Sequence, residues 1–187
     1  MIIGLTGSYC SGKDTVAEYI SQKHGYIHFS LSDIIRELMQ KDAIEPTREN
    51  LIVFGTNLRE KNGNGILARK VLDKIDLHGK YCVTSIRHPD EVNELKKRKD
   101  FVLVNVDAPE DVRFKRMQKR QRPGDLQTLE KFIEFENKES QSEGSGQQIV
   151  KTARMADVTL INGSNDIYML KVTIDELLKN IEDERNL

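Results

Sequence analysis

Gly7-Ser8-Tyr9-Cys10-Ser11-Gly12-Lys13-Asp14-Thr15 is the stretch that decides how this chain folds. Before it runs the short apolar segment Ile2, Ile3, Leu5; after it Val16, Ala17 and Ile20 fall at helical spacing. A strand therefore hands over to a helix through a loop with glycine at each end. Glycine lets the backbone turn its N–H groups inward around a phosphate without a Cβ in the way. The following helix adds the partial positive charge of its N-terminus, and Lys13 meets the β- and γ-phosphates. The spacing and its strand-to-helix setting together make this a specific signal for a bound nucleoside triphosphate.

One position departs from the usual pattern. The residue after the lysine is commonly Ser or Thr, whose hydroxyl binds Mg²⁺. Here it is Asp14, with Thr15 next. A carboxylate is a competent hard ligand, so Asp14, supported by Thr15, is expected to hold Mg²⁺ directly or through water. The plainer role for Asp14 is compensation of the helix dipole.

Outward from the loop, strands and helices alternate. Further strands are read at Tyr26–Phe29, Tyr81–Thr84, Phe101–Val106 and Val158–Ile161. Helices are expected from Ser32, from Thr47 as N-cap, over Ile66–Ile75, Pro89–Lys97, Glu110–Gln121, Leu129–Lys138, near Gln148–Met155 and over Ile167–Ile181. Five short apolar strands separated by helices predict an α/β/α three-layer fold with a five-stranded parallel sheet. In such sheets ligands lie beyond the carboxyl ends of the strands. The residues just after each strand are therefore the ones to inspect.

The chain has 187 residues, 37% hydrophobic and 32% charged, with 29 Lys+Arg against 30 Asp+Glu. That fits one globular domain and gives no reason to expect nucleic acid or a membrane surface as partner. Tryptophan is absent and aromatics are 6% of residues, which also weighs against a stacking nucleic-acid groove. Cys10 and Cys82 have no CxxC or Cys/His neighbours, so neither a disulfide framework nor a zinc site is expected. With no apolar run near the ~20 residues of a bilayer span, a cytoplasmic protein is expected, as monomer or homodimer.

Arginines cluster after the strands: Arg36 in the second helix, Arg87 after the third strand, and Arg113, Arg116, Arg120 and Arg122 after the fourth. Phosphoryl transfer needs such groups, because a planar guanidinium fork binds phosphate oxygens in two places. At least two of the last four are expected at the surface. His88, beside Arg87, is a weaker candidate for the acceptor site.

Ser30-Leu31-Ser32-Asp33-Ile34-Ile35-Arg36 resembles the acceptor-phosphate segment of nucleoside monophosphate kinases. Ser85-Ile86-Arg87-His88-Pro89-Asp90-Glu91 resembles the segment after strand three in phage deoxynucleoside monophosphate kinases, which share the Gly-Lys-Asp-Thr loop, as partly does the animal type of phosphomevalonate kinase. Arg116-Met117-Gln118-Lys119-Arg120 is similar to the start of the adenylate kinase lid, and Ala156–Gly163 to the final strand of dephospho-coenzyme A kinases. The resemblance to P-loop kinases thus covers nearly the whole chain, divided among subfamilies.

It implies a single kinase domain over 1–187, with an acceptor-binding helical region at about 31–76 and a helical lid at about 113–147. It also implies that Arg36 and Arg87, with Arg59, grip an acceptor phosphate, that Asp33 orients the acceptor, and that Arg116 and Arg120 close over the transferring group. Related kinases often have an acid at the end of strand three, where this chain has Thr84-Ser85. The expected activity is ATP-dependent phosphoryl transfer to a small phosphorylated acceptor, foremost a nucleoside or deoxynucleoside monophosphate. The alternatives are a dephospho-coenzyme A or other small-metabolite kinase, and a non-enzymatic nucleotide-dependent regulatory module.

Overall fold

The computed structural model describes residues 1–121, 125–140 and 143–185. Arg122, Pro123 and Gly124 of the expected lid turn, and the first residues of the polar loop at 141–146, lie outside the described residues. The strands are β1 (Ile2–Thr6), β2 (Ile27–Ser30), β3 (Tyr81–Thr84), β4 (Phe101–Asp107) and β5 (Val158–Ile161). The helices are α1 (Lys13–His24), α2 (Leu31–Lys41), α3 (Arg48–Asn62), α4 (Ile66–Leu72), α5 (Pro89–Leu95), α6 (Glu110–Arg120), α7 (Leu129–Ser140), α8 (Ile149–Ala153) and α9 (Ile167–Arg185).

All five strands are parallel, in the order β2-β3-β1-β4-β5. β1 is central: Ile2 registers with Tyr81 of β3 on one side and with Phe101 of β4 on the other. The chain reverses direction across the sheet beside β1, so the loop after β1 opens into the crevice where open α/β sheets bind ligands.

Alternate strand residues feed opposite faces. Ile2, Val83 and Leu103 pack with Leu31 and Ile35 of α2, Leu67 and Val71 of α4, and Val92 and Leu95 of α5. Ile3, Leu5, Val104 and Val106 pack with Val16 and Ile20 of α1 and Ile174 and Leu178 of α9. The inner strands β1, β3 and β4 are buried on both faces, which is why they read as continuous apolar runs, while the edge strands β2 and β5 keep exposed positions. Among the described residues no helix is long and apolar enough to cross a membrane.

Local signals set the helix ends. Thr47 Oγ1 accepts the Asn50 amide at 3.2 Å, so the N-cap of α3 forms without a full capping box. Gly25 closes α1 with φ 69°, a left-handed residue at the C-terminal end. At α5 His88 is the N-cap: its ring accepts the Asp90 amide, and the Glu91 carboxylate reaches back to the His88 amide, making a capping box. His88 is buried and its Nε2 meets the Gly144 carbonyl at 2.9 Å, so it is a structural residue and not part of the acceptor site.

Candidate active site

The loop between β1 and α1 is shaped by positive φ at Gly7 (134°), Cys10 (58°) and Gly12 (99°). A Cβ at Gly7 would overlap the Val106 carbonyl oxygen, and one at Gly12 would overlap the Asn162 amide. Both glycines are therefore required by close approach as well as by conformation. Repeated left-handed residues curl the backbone into a concave nest suited to an anion. This cradle, at the N-terminus of a twelve-residue helix, fits nucleotide phosphates.

Lys13 folds over the nest. Its Nζ donates to the Gly7 and Ser8 carbonyls at 2.9 and 2.6 Å and lies 3.3 Å from Ser11 Oγ. Burial, then the nearby Arg87, pushes its ammonium down to about 8, against the pull of Asp14. Cys10 is no activated thiol, since burial pushes it up despite Arg120.

On one side of the loop lies a cavity of about 470 Å³. Arg36, Arg48, Arg59, Arg87 and Arg120 all line it. Arg36 Nη1 donates to Ser32 Oγ and Asp33 Oδ1, both at 2.8 Å. Arg87 donates to Gln147 Oε1 at 2.9 Å, and Gln148 N binds the Arg87 carbonyl at 2.8 Å, so the segment before α8 clasps the end of β3. Arg120 pairs with Asp125 and with the Tyr9 hydroxyl, and this carboxylate raises the guanidinium's proton affinity further.

Four residues sit otherwise than the sequence predicts. Arg59 is buried at 4% exposure, and its Nε and Nη2 hold Glu91 Oε1 at 3.1 and 2.8 Å, with Glu91 at 0%. Its fork is committed to that carboxylate, which also accepts the Arg87 and His88 amides at 2.8 and 3.1 Å. Asp33 is 61% exposed and paired with Arg36; it is not among the residues lining the cavity.

Arg116 lies on the other side of the loop. It donates to the carbonyls of Ser11, Asn162 and Ser164 beside a smaller cleft of about 150 Å³ that Gly12 and Thr15 also line. Arg113, one of the arginines among which surface positions were expected, is buried and bonded to Ala108 O, Tyr9 O and Glu136. Arg116 and Arg120 are partly buried as well, because α6 packs against the loop. Its 3.6-residue repeat puts Arg113, Arg116 and Arg120 on one face.

Sequence reasoning missed Glu91, Arg48, Gln147 and Tyr9's contacts with Arg120. Glu91 carried a signal, being the third residue after a cap with Pro next to it. The others gave none, as their partners are distant in sequence. At the metal position, Asp14 and Thr15 are exposed on the first turn of α1. Among the described residues no group of three or more His, Cys, Asp or Glu gathers to cage an ion. That donor set fits Mg²⁺, which keeps several waters and binds through one or two carboxylates plus substrate phosphates.

The AAA domain family AAA_18 matches residues 3–144. The UPF0200 protein of Sulfurisphaera tokodaii is 33% identical over 96% of this chain and 97% of its own length. The UPF0200/UPF0201 protein of Archaeoglobus fulgidus is also 33% identical, over 98% of this chain; this chain spans 58% of that longer protein. Among solved structures, shikimate kinase from Bacteroides thetaiotaomicron superposes with a TM-score of 0.67 at 16% identity, covering 97% of this chain and 98% of the other. A gluconokinase from Sinorhizobium meliloti gives 0.53 at 13%, covering 97% and 95%. These likenesses establish the P-loop kinase fold. The chain belongs to the AAA_18 family and to the UPF0200 family.

Proposed function

We propose that this UPF0200 protein is an ATP-dependent phosphotransferase acting on a small phosphorylated acceptor. The carrying observation is the arginine-lined cavity that opens directly beside the phosphate loop and is closed on one side by Arg120 of the lid. An acceptor phosphate oxygen would bond to the γ-phosphorus while the bond from that phosphorus to the β–γ bridging oxygen breaks, leaving ADP and the phosphorylated acceptor. Little covalent chemistry is then asked of the protein, and positioning with charge neutralisation supplies the catalysis.

In this reading residues 31–76 bind the acceptor and 113–147 form the lid. Arg36 and Arg87 hold the acceptor, Lys13 and the nest hold the donor phosphates, and Arg120 faces the group in flight. Arg116, braced against Asn162 and Ser164, serves the nucleotide side. Arg59 acts through Glu91 as a wall that fixes the backbone amide of Arg87. Asp14, with the Thr15 hydroxyl next to it, would hold Mg²⁺, which would supply charge neutralisation at the donor phosphates.

An already ionised acceptor is favoured over a hydroxyl. A hydroxyl needs a base within hydrogen-bond reach, and Asp33, the carboxylate expected to orient the acceptor, faces solvent and Arg36. Nucleoside and deoxynucleoside monophosphates lead the acceptors to test, followed by dephospho-coenzyme A, phosphomevalonate and, from the fold neighbours, shikimate and gluconate. The test is ADP formation by purified protein with each acceptor, with Lys13→Ala as the inactive control. Acceptor-dependent ADP formation lost in Lys13→Ala supports the proposal. Tight ATP binding with no acceptor ever phosphorylated would leave a nucleotide-dependent regulatory module instead.

A further inference from the structure

The smaller cleft beside Gly12 and Thr15, of about 150 Å³, holds a guanidinium bound only by neutral groups. Arg116 donates through Nε to Asn165 Oδ1 at 3.2 Å and through Nη1 to Ser11 O at 3.3 Å. Through Nη2 it reaches Asn162 O, Asn162 Oδ1 and Ser164 O at 2.9, 3.1 and 2.6 Å. No carboxylate pairs with Arg116 among the described residues, and burial pulls its proton affinity down. These contacts take up Nε, one Nη1 proton and both Nη2 protons, and they hold the guanidinium plane fixed. With most of its edge spent, the group still offers its flat face, which suits an aromatic ring better than a phosphate.

The turn after β5 supplies the rim. Asn165 Oδ1 accepts from Nε of Arg116, a group that can only donate, and this fixes which way the amide is turned. Its Nδ2 has no acceptor among the described residues. Asp166 spends Oδ1 on the Tyr168 and Met169 amides at 2.9 and 3.2 Å, capping α9, and its Oδ2 has no donor among the described residues. Both residues line the cleft, with Ile167 and Leu170 as its aliphatic wall. An unused donor and an unused acceptor thus stand on consecutive residues beside a fixed guanidinium face.

A nucleobase edge is the natural partner for such a pair. Adenine presents N6–H₂ as a donor near N7 as an acceptor, whereas guanine presents two acceptors there, N7 and O6. A carboxylate oxygen repels guanine O6 but accepts a charge-assisted bond from adenine N6. Guanine's other edge sets two donors side by side, N1–H and N2–H₂. These call for both oxygens of a carboxylate, and Oδ1 of Asp166 is already spent. We infer that Asn165 and Asp166 select the base of the bound nucleotide, and that they select adenine. Asp166 Oδ2 accepts from the 6-amino group, Asn165 Nδ2 donates to the neighbouring ring nitrogen, and the ring lies on the face of Arg116. The inference rests on the reading of the loop as the nucleotide site of a phosphotransferase, and it makes these two side chains specificity-determining residues.

Binding tests it without acceptor or turnover. The full chain is titrated calorimetrically, in the presence of Mg²⁺, with ADP, with GDP, and with purine riboside diphosphate, which lacks the 6-amino group. ADP is expected to bind about tenfold or more tightly than either, the scale of one charge-assisted contact. In Asp166→Asn the amide oxygen keeps the cap on α9, and an NH₂ group replaces the free carboxylate oxygen. That variant should lose the preference for ADP over purine riboside diphosphate and gain affinity for GDP, with purine riboside diphosphate unchanged. Equal affinity of ADP and purine riboside diphosphate, tighter binding of GDP to the parent protein, or an Asp166→Asn protein that weakens all three alike overturns the inference. If Asp166→Asn fails to fold, the wild-type comparison of the three nucleotides decides. The two proposals fail separately: nucleotides bound without regard to base sink only this one. Adenine preference with no acceptor phosphorylated sinks the kinase reading alone, and a chain that binds none of the three sinks both.

Discussion

Two arginine–carboxylate pairs border the same cavity and differ in kind. Arg59–Glu91 joins α3 to α5 and is almost wholly removed from water, at 4% and 0% exposure. Arg120–Asp125 joins the end of α6 to the segment before α7 and keeps 25% and 10%. Each Glu91 oxygen is used, one by Arg59 and the other by the amides of Arg87 and His88, so this pair is a brace. Arg120 instead bridges Asp125 and the hydroxyl of a residue in the phosphate loop. In the proposed reaction a guanidinium so placed would exchange partners when phosphates arrive, and on that reading this pair is a latch. The same two chemical groups thus serve stability in one place and, on the proposed function, chemistry in the other, with burial making the difference.

The sharpest test of that contrast compares Glu91→Ala with Asp125→Ala in denaturant unfolding. Removing Glu91 leaves a buried guanidinium and two amides unpartnered, and a loss of about 3–5 kcal/mol is expected. Removing Asp125 frees a partly solvated arginine, for a loss of about 1 kcal/mol or less. Similar losses for both would erase the distinction between brace and latch.

The reverse ordering is expected for turnover. Arg120→Ala should lower kcat for ADP formation by about a hundredfold to a thousandfold, the scale of one preorganised donor removed from a transition state. Its midpoint of unfolding should barely move. A kcat within threefold of the parent protein would remove Arg120 from the reaction.

The smallest effect is a pH dependence at Lys13, which lies between the two sides. The free protein's ammonium titrates near 8, below its ordinary 10.5, chiefly through burial and secondarily through Arg87. Phosphate binding favours the charged form, so affinity for ATP is full below that pH and falls as pH rises through it. Calorimetry at pH 8.5 in buffers of different ionisation enthalpy should show proton uptake on ATP binding, up to about one proton per site. Uptake that persists unchanged in Lys13→Ala would assign it to another group.

Much of the fold was legible because its signals are local. The Gly7–Thr15 loop, the apolar strands, the Thr47 cap and the Pro89 helix start each depend on residues within a few positions of one another. The cavity was legible only in part. Arg36, Arg87 and Arg120 stand out because each follows a strand or lies on the helix after one. Arg48 gives no local signal, since the rings of Tyr9 and Phe135 that it meets lie 39 and 87 positions away. Arg116 and Arg120 were read together, yet four residues along a helix also move a side chain about 6 Å along the axis. That step carries Arg116 past the loop to the smaller cleft.

What the sequence determined by itself is the chemistry that backbone geometry dictates at short range: a glycine nest at a helix N-terminus that holds phosphates, and a parallel sheet that aims it at a crevice. What only the tertiary structure decided is which charges are available there. Whether an arginine is a brace, a latch or an anchor depends on the carboxylate or ring it meets and on how much water remains. Apart from Asp125, five residues beyond Arg120, those partners come from other elements of the fold. Arg59 and Arg120 are alike in sequence; Glu91, Asp125 and their burial set them apart.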